Sequence, residues 1–422
     1  MTQHFDLGLR TAVCEVQLDH LASGVTNLDD YQQALVVFRL RGAVLGQAWL
    51  PVENGCITPV SLRAAAATTS WTVWLHSVAP EPAPTRPLPS ASVVVCTRDR
   101  PDDLVHCLPG LQSLAAQGHE VIIVDNCPSD DRTARLVAGY PMIRYLYEPR
   151  PGLDVARNCG ILTAKGEVVA FTDDDVEIDP GWLAALVRNF VDPMVAVVNG
   201  IALPLELETP AQRWFEKTNG FARGFVRQEH DASTLNPLAA GELGVGANMA
   251  VRRSAIGTIG LFDEALDCGT LTRSGGDQEY VYRALAHGYR VVYEPAALVW
   301  HRHRRDWSGL RNTLYSYGVG VFAWWTRCLL VEGELTVLKL ATRWFWRRYV
   351  KNLIRALLRR PGHMPLDLAL AEFRGALAGP NAYLQARGVL RAQLAAAAID
   401  RAHSLTLDKL PATVTDQSLE VS

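Results

Sequence analysis

The sequence predicts an α/β protein in which a mostly parallel sheet carries helices on both faces, with a small β-rich region before it and a basic helical region after it. Three observations lead there. Apolar runs of strand length alternate with segments of helical period from about residue 92 to residue 290, as expected of repeated βαβ units. Five prolines among residues 80–89 set an extended, semi-rigid spacer before that alternation begins. Beyond it, residues 301–361 hold thirteen Lys or Arg against three acidic residues, a change of character that marks another region. The expected divisions are residues 1–79, a β-rich accessory domain; 80–90, the linker; 91–305, the α/β domain; 306–402, the basic and aromatic helical region; and 403–422, a polar and poorly ordered tail.

In the first region, residues 35–40 and 44–50 flank Arg41-Gly42-Ala43 and read as a β-hairpin, with further strands over 5–18 and 71–78. The α/β region opens with a strand over 92–96 and a helix over 102–116, where apolar residues recur at helical spacing. The next strand, 121–124, ends on Asp125-Asn126. A helix over 129–138 follows, with Ser129 or Asp130 as its N-cap, and then a strand over 143–147. Residues 154–165 read as a helix closed by Gly166, 168–172 as a strand, and Asp179-Pro180 as the start of another helix. Farther on, 278–287 is helical, 289–293 is a strand, and Glu294-Pro295-Ala296 forms a turn before Trp300-His301-Arg302-His303. Residues 335–358 make a basic amphipathic helix.

Composition narrows the function. Apolar content of 49% and charged content of 20% are ordinary for a globular protein, and a formal net charge of −3 makes no electrostatic case for nucleic acid. No basic stretch followed by an apolar one opens the chain, so no secretory signal is expected. The eight cysteines are scattered without a C-x-x-C pair and read as reduced thiols of a cytoplasmic protein. No segment reaches the ~18 uninterrupted apolar residues of a membrane span; the nearest, 314–330, is broken by Gly318, Gly320 and Arg327. An enzyme that extrudes a polymer needs such a channel. The helix over 335–358, with its tryptophans and arginines, instead suits an anionic membrane surface, at the inner face of the cytoplasmic membrane. The competing reading is a helix that packs its Trp/Leu face on the domain and solvates its arginines.

Chemistry concentrates at Asp173-Asp174-Asp175, directly after the apolar run 168–171. Three adjacent carboxylates repel one another and favour protonation unless a cation neutralises them. Hard oxygen ligands of this kind suit Mg²⁺ or Mn²⁺ shared with a substrate's phosphates. In open α/β sheets ligands bind beyond the C-terminal strand ends. The loops at Thr97-Arg98-Asp99, Asp125-Asn126 and Asp173-Asp174-Asp175 all fall there, which makes them one expected site.

Six blocks then occur in order: Val95-Cys96-Thr97-Arg98-Asp99-Arg100-Pro101, Val124-Asp125-Asn126 with Asp130, Pro151-Gly152-Leu153-Asp154-Val155-Ala156-Arg157-Asn158, Phe171-Thr172-Asp173-Asp174-Asp175, Gly246-Ala247-Asn248-Met249-Ala250, and Gly275-Gly276-Asp277-Gln278-Glu279. Together they resemble the family 2 glycosyltransferases, which have the GT-A fold, over about half of the chain. The resemblance implies inverting transfer from a nucleotide-diphosphate sugar, a UDP-sugar being the commoner choice, in a setting such as cell-surface polysaccharide biosynthesis. It implies that Thr97 and Arg98 line the nucleotide pocket, that Asp125 accepts a hydrogen bond from the base, and that Arg157 approaches the diphosphate. Asp173 would contact the ribose, and Asp175 would bind the metal with Asp174 nearby, Asp174 being counted with the donor-binding residues. Ala247 and Asn248 would lie against the donor sugar, and Asp277 would be the catalytic base. His301 is the expected further metal ligand, with His303 as its alternative; extended, the two share one face. The acceptor is expected to be a hydroxyl on a glycan or a lipid-linked sugar.

Two departures from the family pattern stand out. Gly276 occupies the place where many relatives carry a glutamate before the catalytic aspartate, and Glu279 is near enough to compete as base. The Q-x-x-R-W motif of processive members is matched only by Leu340-Ala341-Thr342-Arg343-Trp344, without the glutamine, so transfer of a single sugar is expected. Rival classes fit less well. A dinucleotide oxidoreductase could use Asp125, but Thr97-Arg98-Asp99-Arg100 lacks the glycines its pyrophosphate turn needs, and sugar nucleotidyltransferases want a similar loop. A catalytically inactive scaffold would have no use for both Asp175 and Asp277.

Overall fold

The computed structural model describes residues 8–69, 87–360 and 362–407. The expected strand over 71–78, the linker as far as residue 86 and the tail from 408 lie outside the described residues. In the N-terminal region, β1 (Thr11–Gln17), β2 (Gln33–Leu40) and β3 (Ala43–Pro51) form a three-stranded sheet in that order. The β2–β3 hairpin turns at Arg41 and Gly42, both at positive φ (50° and 87°), the pairing that matches strand twist in a two-residue loop. β1 pairs with β2 in parallel, and a helix, α1 (Pro59–Ala66), completes the region. β2 is buried on both faces because its alternate side chains serve two cores. Ala34, Val36 and Phe38 pack with Ile57 and Leu62, whereas Val37, with Val44, packs on Ile201, Leu203, Tyr293 and Leu298 of the larger sheet. Arg39 ties the two sheets by an ion pair to Asp179 at 2.7 Å.

The larger unit follows the alternating order: β4 (Ala91–Thr97), α2 (Pro101–Ala116), β5 (Glu120–Asn126), α3 (Arg132–Ala138), β6 (Arg144–Glu148), α4 (Leu153–Thr163), β7 (Val168–Thr172), β8 (Val176–Ile178), α5 (Trp182–Val187), β9 (Val195–Pro204), α6 (Pro210–Asn219), β10 (Gln228–His230), β11 (Asn248–Arg252), α7 (Gly276–Ala286) and β12 (Arg290–His301). The strands line up as β10-β12-β9-β11-β7-β4-β5-β6, with β8 on β12. β7, β4, β5 and β6 run parallel, and β11 is antiparallel to both its neighbours. Alternate residues of the central strands feed two cores, the condition for helices on both faces. Val94, Ile122, Val124 and Phe171 face Ala156, Ile161 and Tyr280; Val93, Val95, Ile123 and Ala170 face Leu104, Leu108, Leu111 and Trp182. The α/β class and the helix-covered, mostly parallel sheet are those the sequence implied.

Several local expectations change. α3 starts at Arg132, not at residue 129, because Ser129 is engaged by Asp99 Oδ1 and Asp130 accepts from the Arg132 amide. Gly166 does not close α4, which ends at Thr163. Its lack of a side chain is needed for packing: a Cβ there would lie 2.5 Å from the Ser92 backbone nitrogen. The expected turn at Glu294-Pro295-Ala296 is a register irregularity inside the continuous strand β12. β8, which the sequence did not suggest, follows the Asp triplet and pairs Val176 with His301. That pairing carries the end of β12 to the end of β7.

The C-terminal region is helical: α8 (Trp307–Arg327), α9 (Thr336–Trp344), α10 (Lys351–Leu357) and α11 (Leu366–Leu407), so residues 403–407, expected in the tail, continue a helix. α8 and α11 approach closely at glycines; a Cβ on Gly375 would lie 2.1 Å from the Tyr315 carbonyl. α8 also braces the loop before α7, where Ser274 Oγ donates to the Ser316 carbonyl and Gly275 faces Gly320. Among the described residues, no helix is long and apolar enough to cross a membrane.

Candidate active site

The C-terminal edge of the parallel strands gathers three sets of side chains. In the first, at the end of β7, the nearest ligand atoms of Asp173, Asp175 and His301 all lie within 4.8 Å of one another. Asp175 Oδ1 is buried with no hydrogen-bond partner among the described residues and stands 3.4 Å from His301 Nε2. Arg100 Nη2 pairs with Asp175 Oδ2 at 2.8 Å, while Nη1 takes Asp174 Oδ1 at 2.5 Å. Asp174 also accepts from Thr97 Oγ1 at 2.7 Å. Asp174 and Thr97, both expected at the nucleotide, therefore spend these contacts on each other and on Arg100.

Burial raises the Asp173 carboxyl to about 6, helped by Asp175, and the Asp174 carboxyl to about 7. Burial also opposes the Asp175 charge, but His301, Arg100 and Arg304 outweigh it and hold that group at about 2. Burial lowers the His301 imidazole to about 4. It is then neutral at pH 7, and the arginines are the lasting source of the Asp175 shift. Two carboxylates and a neutral imidazole, with one carboxylate oxygen unpartnered, fit Mn²⁺ or Mg²⁺.

Behind His301 runs a chain of hydrogen bonds. His301 Nδ1 meets His303 Nδ1 at 3.1 Å, and His303 Nε2 meets Glu216 Oε2, from α6, at 3.0 Å. With a single proton on His303, placed on Nε2 toward the Glu216 carboxylate, its Nδ1 accepts from His301 Nδ1. The lone pair of His301 Nε2 is then left facing Asp175. His303, buried and committed to Glu216, is a support for His301 and is not among the three clustered donors.

The second set lies at the ends of β4 and β5. Asp125 Oδ2 accepts from Tyr145 at 2.8 Å, and Asp125 Oδ1 is buried with no partner among the described residues, an acceptor in need of a donor. Thr97 is its register neighbour on β4. Arg98 is partly exposed in the following loop, 3.9 Å from Asp99. Asp99, at positive φ (55°), joins the first two loops through Ser129.

The third set surrounds Asp277, in the first turn of α7. Its Oδ2 accepts from the Gly246 amide at 2.7 Å and its Oδ1 from the Gln278 amide at 2.9 Å. Burial, then Asp267, raise its carboxyl, and Arg157 pulls it back. Arg157 is buried, binds Asp154 at 2.8 Å and Asp267 at 2.9 Å, and lies over the Phe262 ring. Its guanidinium is thus clamped among carboxylates, whereas the sequence reading had it approaching a diphosphate. Glu279 points elsewhere: it is fully buried and paired with Arg283 and with Arg327.

Two residues expected against the donor sugar are placed differently. Ala247 is buried, with its carbonyl bound by Thr172 Oγ1. Asn248 faces the interior, where its amide accepts from Trp182 Nε1 and donates to the Ile201 and Ala297 carbonyls at 2.8 Å each. Its hydrogen-bonding capacity is used inside the core, which corrects its assignment to the sugar. Sequence reasoning did not weigh Arg100, Asp154, Asp267 or Glu216. Arg100 and Asp154 stood within quoted blocks, while Asp267 and Glu216 carried no local signal.

The model of the family described as Glycosyl transferase family 2 matches residues 92–258. A pre-mycofactocin glycosyltransferase of Mycobacterium tuberculosis is 34% identical over 226 residues, which cover 51% of this chain and 44% of that protein; the chain thus spans less than half of that relative's length. A glycosyltransferase of Mycobacterium bovis is 32% identical over 187 residues, covering 44% of this chain and 76% of that protein. Among solved structures, a mannosyltransferase of Pyrobaculum calidifontis in complex with GDP-Man and Mn²⁺ aligns over 83% of this chain and 91% of its own, with 19% identity and a TM-score of 0.44.

Proposed function

The chain belongs to glycosyltransferase family 2, and on that premise we propose that it transfers a single sugar from a nucleotide-diphosphate sugar, by preference a UDP-sugar, to a hydroxyl of a glycan or lipid-linked acceptor, with inversion at the anomeric carbon. The observation that carries this reading is the placement on one sheet edge of an acceptor with no partner among the described residues (Asp125 Oδ1), a candidate metal-ligand triad (Asp173, Asp175, His301) and a carboxylate on the first turn of a helix (Asp277).

In this reading Asp125 receives the N–H of the base, and Arg98 and Thr97 border the nucleotide. Asp175 and His301, with Asp173, hold Mn²⁺ or Mg²⁺, and Asp173 reaches the ribose. When bound, the divalent ion neutralises charge that develops on the leaving diphosphate. Arg304, exposed and 3.8 Å from Asp175 Oδ2, adds positive charge on that side. Asp277 takes the proton of the attacking hydroxyl. The two backbone amides on its oxygens and the N-terminus of α7 stabilise the ionised form it needs. A base on the acceptor side and a cation on the leaving-group side describe one in-line displacement.

The same proposal places the enzyme against an anionic membrane, at the cytoplasmic face. Residues 335–360 hold eight Lys or Arg and no acidic residue, and Leu335, Leu338, Trp346 and Leu358 are exposed there. Apolar side chains among cations suit a headgroup interface.

A thermal-shift screen of nucleoside diphosphates and their sugars, with and without Mn²⁺, tests the core of the reading. Ligand at ~100 times its dissociation constant should stabilise the protein by ~2.7 kcal/mol. If no nucleotide sugar stabilises the protein in the presence of Mn²⁺, and none is consumed with any hydroxyl acceptor, the reading is wrong.

A further inference from the structure

Gly276 directly precedes Asp277 at the start of α7, and the space around it accounts for the glycine. A Cβ on Gly276 would lie 1.9 Å from Asp154 Oδ2. Gly276 is not at positive φ, so backbone conformation does not require glycine there. The carboxylate of Asp154 does.

Asp154 comes from the first turn of α4 and is fully buried. Its Oδ1 accepts from Arg157 Nη1 at 2.8 Å, and its Oδ2, on the side of Gly276, has no partner among the described residues. A buried carboxylate oxygen without a donor is destabilising, and such groups call for an explanation beyond packing. Arg157, which Asp154 and Asp267 clamp, borders the base: a Cβ on Gly246 would meet Arg157 Nη2 at 2.6 Å and Asp277 Cβ at 3.1 Å. The two flank one backbone position, and that position donates the amide to Asp277 Oδ2.

We propose that Asp154 is a positioning residue of the centre around Asp277. From α4 it supplies the second carboxylate beside the base, in the space a side chain on the preceding residue of α7 would otherwise enter. There it fixes Arg157 and, through Arg157, the Gly246 turn and Asp277. This rests on the reading of Asp277 as the base.

The test is a set of variants in the full chain: Asp154→Ala, Gly276→Ala, their double, and the exchange Asp154→Ala with Gly276→Glu. Thermal melting comes first and needs no substrate. Alanine suits a helix better than glycine does, so Gly276→Ala should raise the melting temperature once Asp154 is gone but lower it in the wild-type background. Additive effects would overturn the contact itself. In transfer assays, Asp154→Ala should lower kcat by roughly 10²-fold through misplacement of the base, with the donor dissociation constant unchanged. The exchange variant should recover at least a tenth of wild-type turnover, which a merely structural Asp154 would not permit. Wild-type kcat in Asp154→Ala, or an exchange variant no better than Asp154→Ala, would reject the proposal. Should the wild-type protein transfer no sugar, the function reading fails, and the melting cycle still decides the steric pairing.

Discussion

His301 and His303 meet Nδ1 to Nδ1 at 3.1 Å, and Glu216 closes the chain on His303 Nε2 at 3.0 Å. One proton on each ring then suffices to leave the His301 Nε2 lone pair facing Asp175. The partners behind a ligating histidine set its tautomer and orientation, and their loss typically costs 10–100-fold in metal affinity. Glu216→Leu, which keeps much of the volume and removes the acceptor, should weaken Mn²⁺ binding by about that factor. Calorimetry with Mn²⁺ alone measures it; unchanged affinity would detach the relay from the metal site.

Asp175→Ala should abolish metal-dependent nucleotide binding as well as transfer. Asp175 supplies a ligand atom to the triad, and its neighbour Asp174 is held by Arg100 and Thr97, so Asp174 cannot replace it without breaking those contacts. Full activity of this variant, or of the wild type in excess chelator, would remove metal from the reaction.

The raised carboxyls predict a pH effect with a definite sign. Asp173 at about 6 and Asp174 at about 7 bind protons more tightly in the folded protein than unfolded. Their favourable contribution to stability is complete below the ordinary carboxylate range and is lost as pH rises through about 6 to 7. Metal must displace the Asp173 proton, so Mn²⁺ affinity should fall as pH drops below about 6. Melting scans at several pH values should show Mn²⁺ raising the melting temperature more above that range than below it. A pH-independent Mn²⁺ effect would contradict the burial argument.

Asp277→Asn and Glu279→Gln should separate chemistry from structure. Asp277→Asn keeps its shape and loses its basicity, so turnover should drop by about 10²–10⁴-fold with donor affinity near normal. Glu279→Gln leaves Arg283 and Arg327 short of a buried counter-charge. Breaking such a pair costs about 3–5 kcal/mol, visible in denaturant unfolding while kcat of the folded fraction persists. The reverse pattern would make Glu279 the base. A retained anomeric configuration in the product, read by NMR, would exclude single displacement.

For the surface around α9 and α10, flotation with anionic vesicles should recover the protein, and neutral vesicles should not. Each Lys or Arg near such a surface contributes ~1 kcal/mol, screened by salt. Arg343→Glu with Arg347→Glu should therefore release the protein. Equal recovery with both vesicle types would leave these helices as packing elements.

The sequence by itself determined the strand–helix alternation, the loops that carry Thr97, Asp125 and Asp173–Asp175, and the place of Asp277 at the start of a helix. These are properties of neighbours along the chain: apolar period, breakers and the chemistry of adjacent carboxylates. The tertiary structure decided which side chains face the site. Ala247 and Asn248 are consecutive and look equally eligible, yet residues next to each other near a strand point to opposite faces, and pairing of β11 between β7 and β9 sends Asn248 into the core. His301 and His303 are equivalent in a local pattern; the pairing of His301 with Val176 on β8 and the approach of Glu216 from α6 distinguish them. Asp154 and Gly276 are more than a hundred residues apart, so their steric match arises only where α4 and α7 pack together, a contact that no local period encodes.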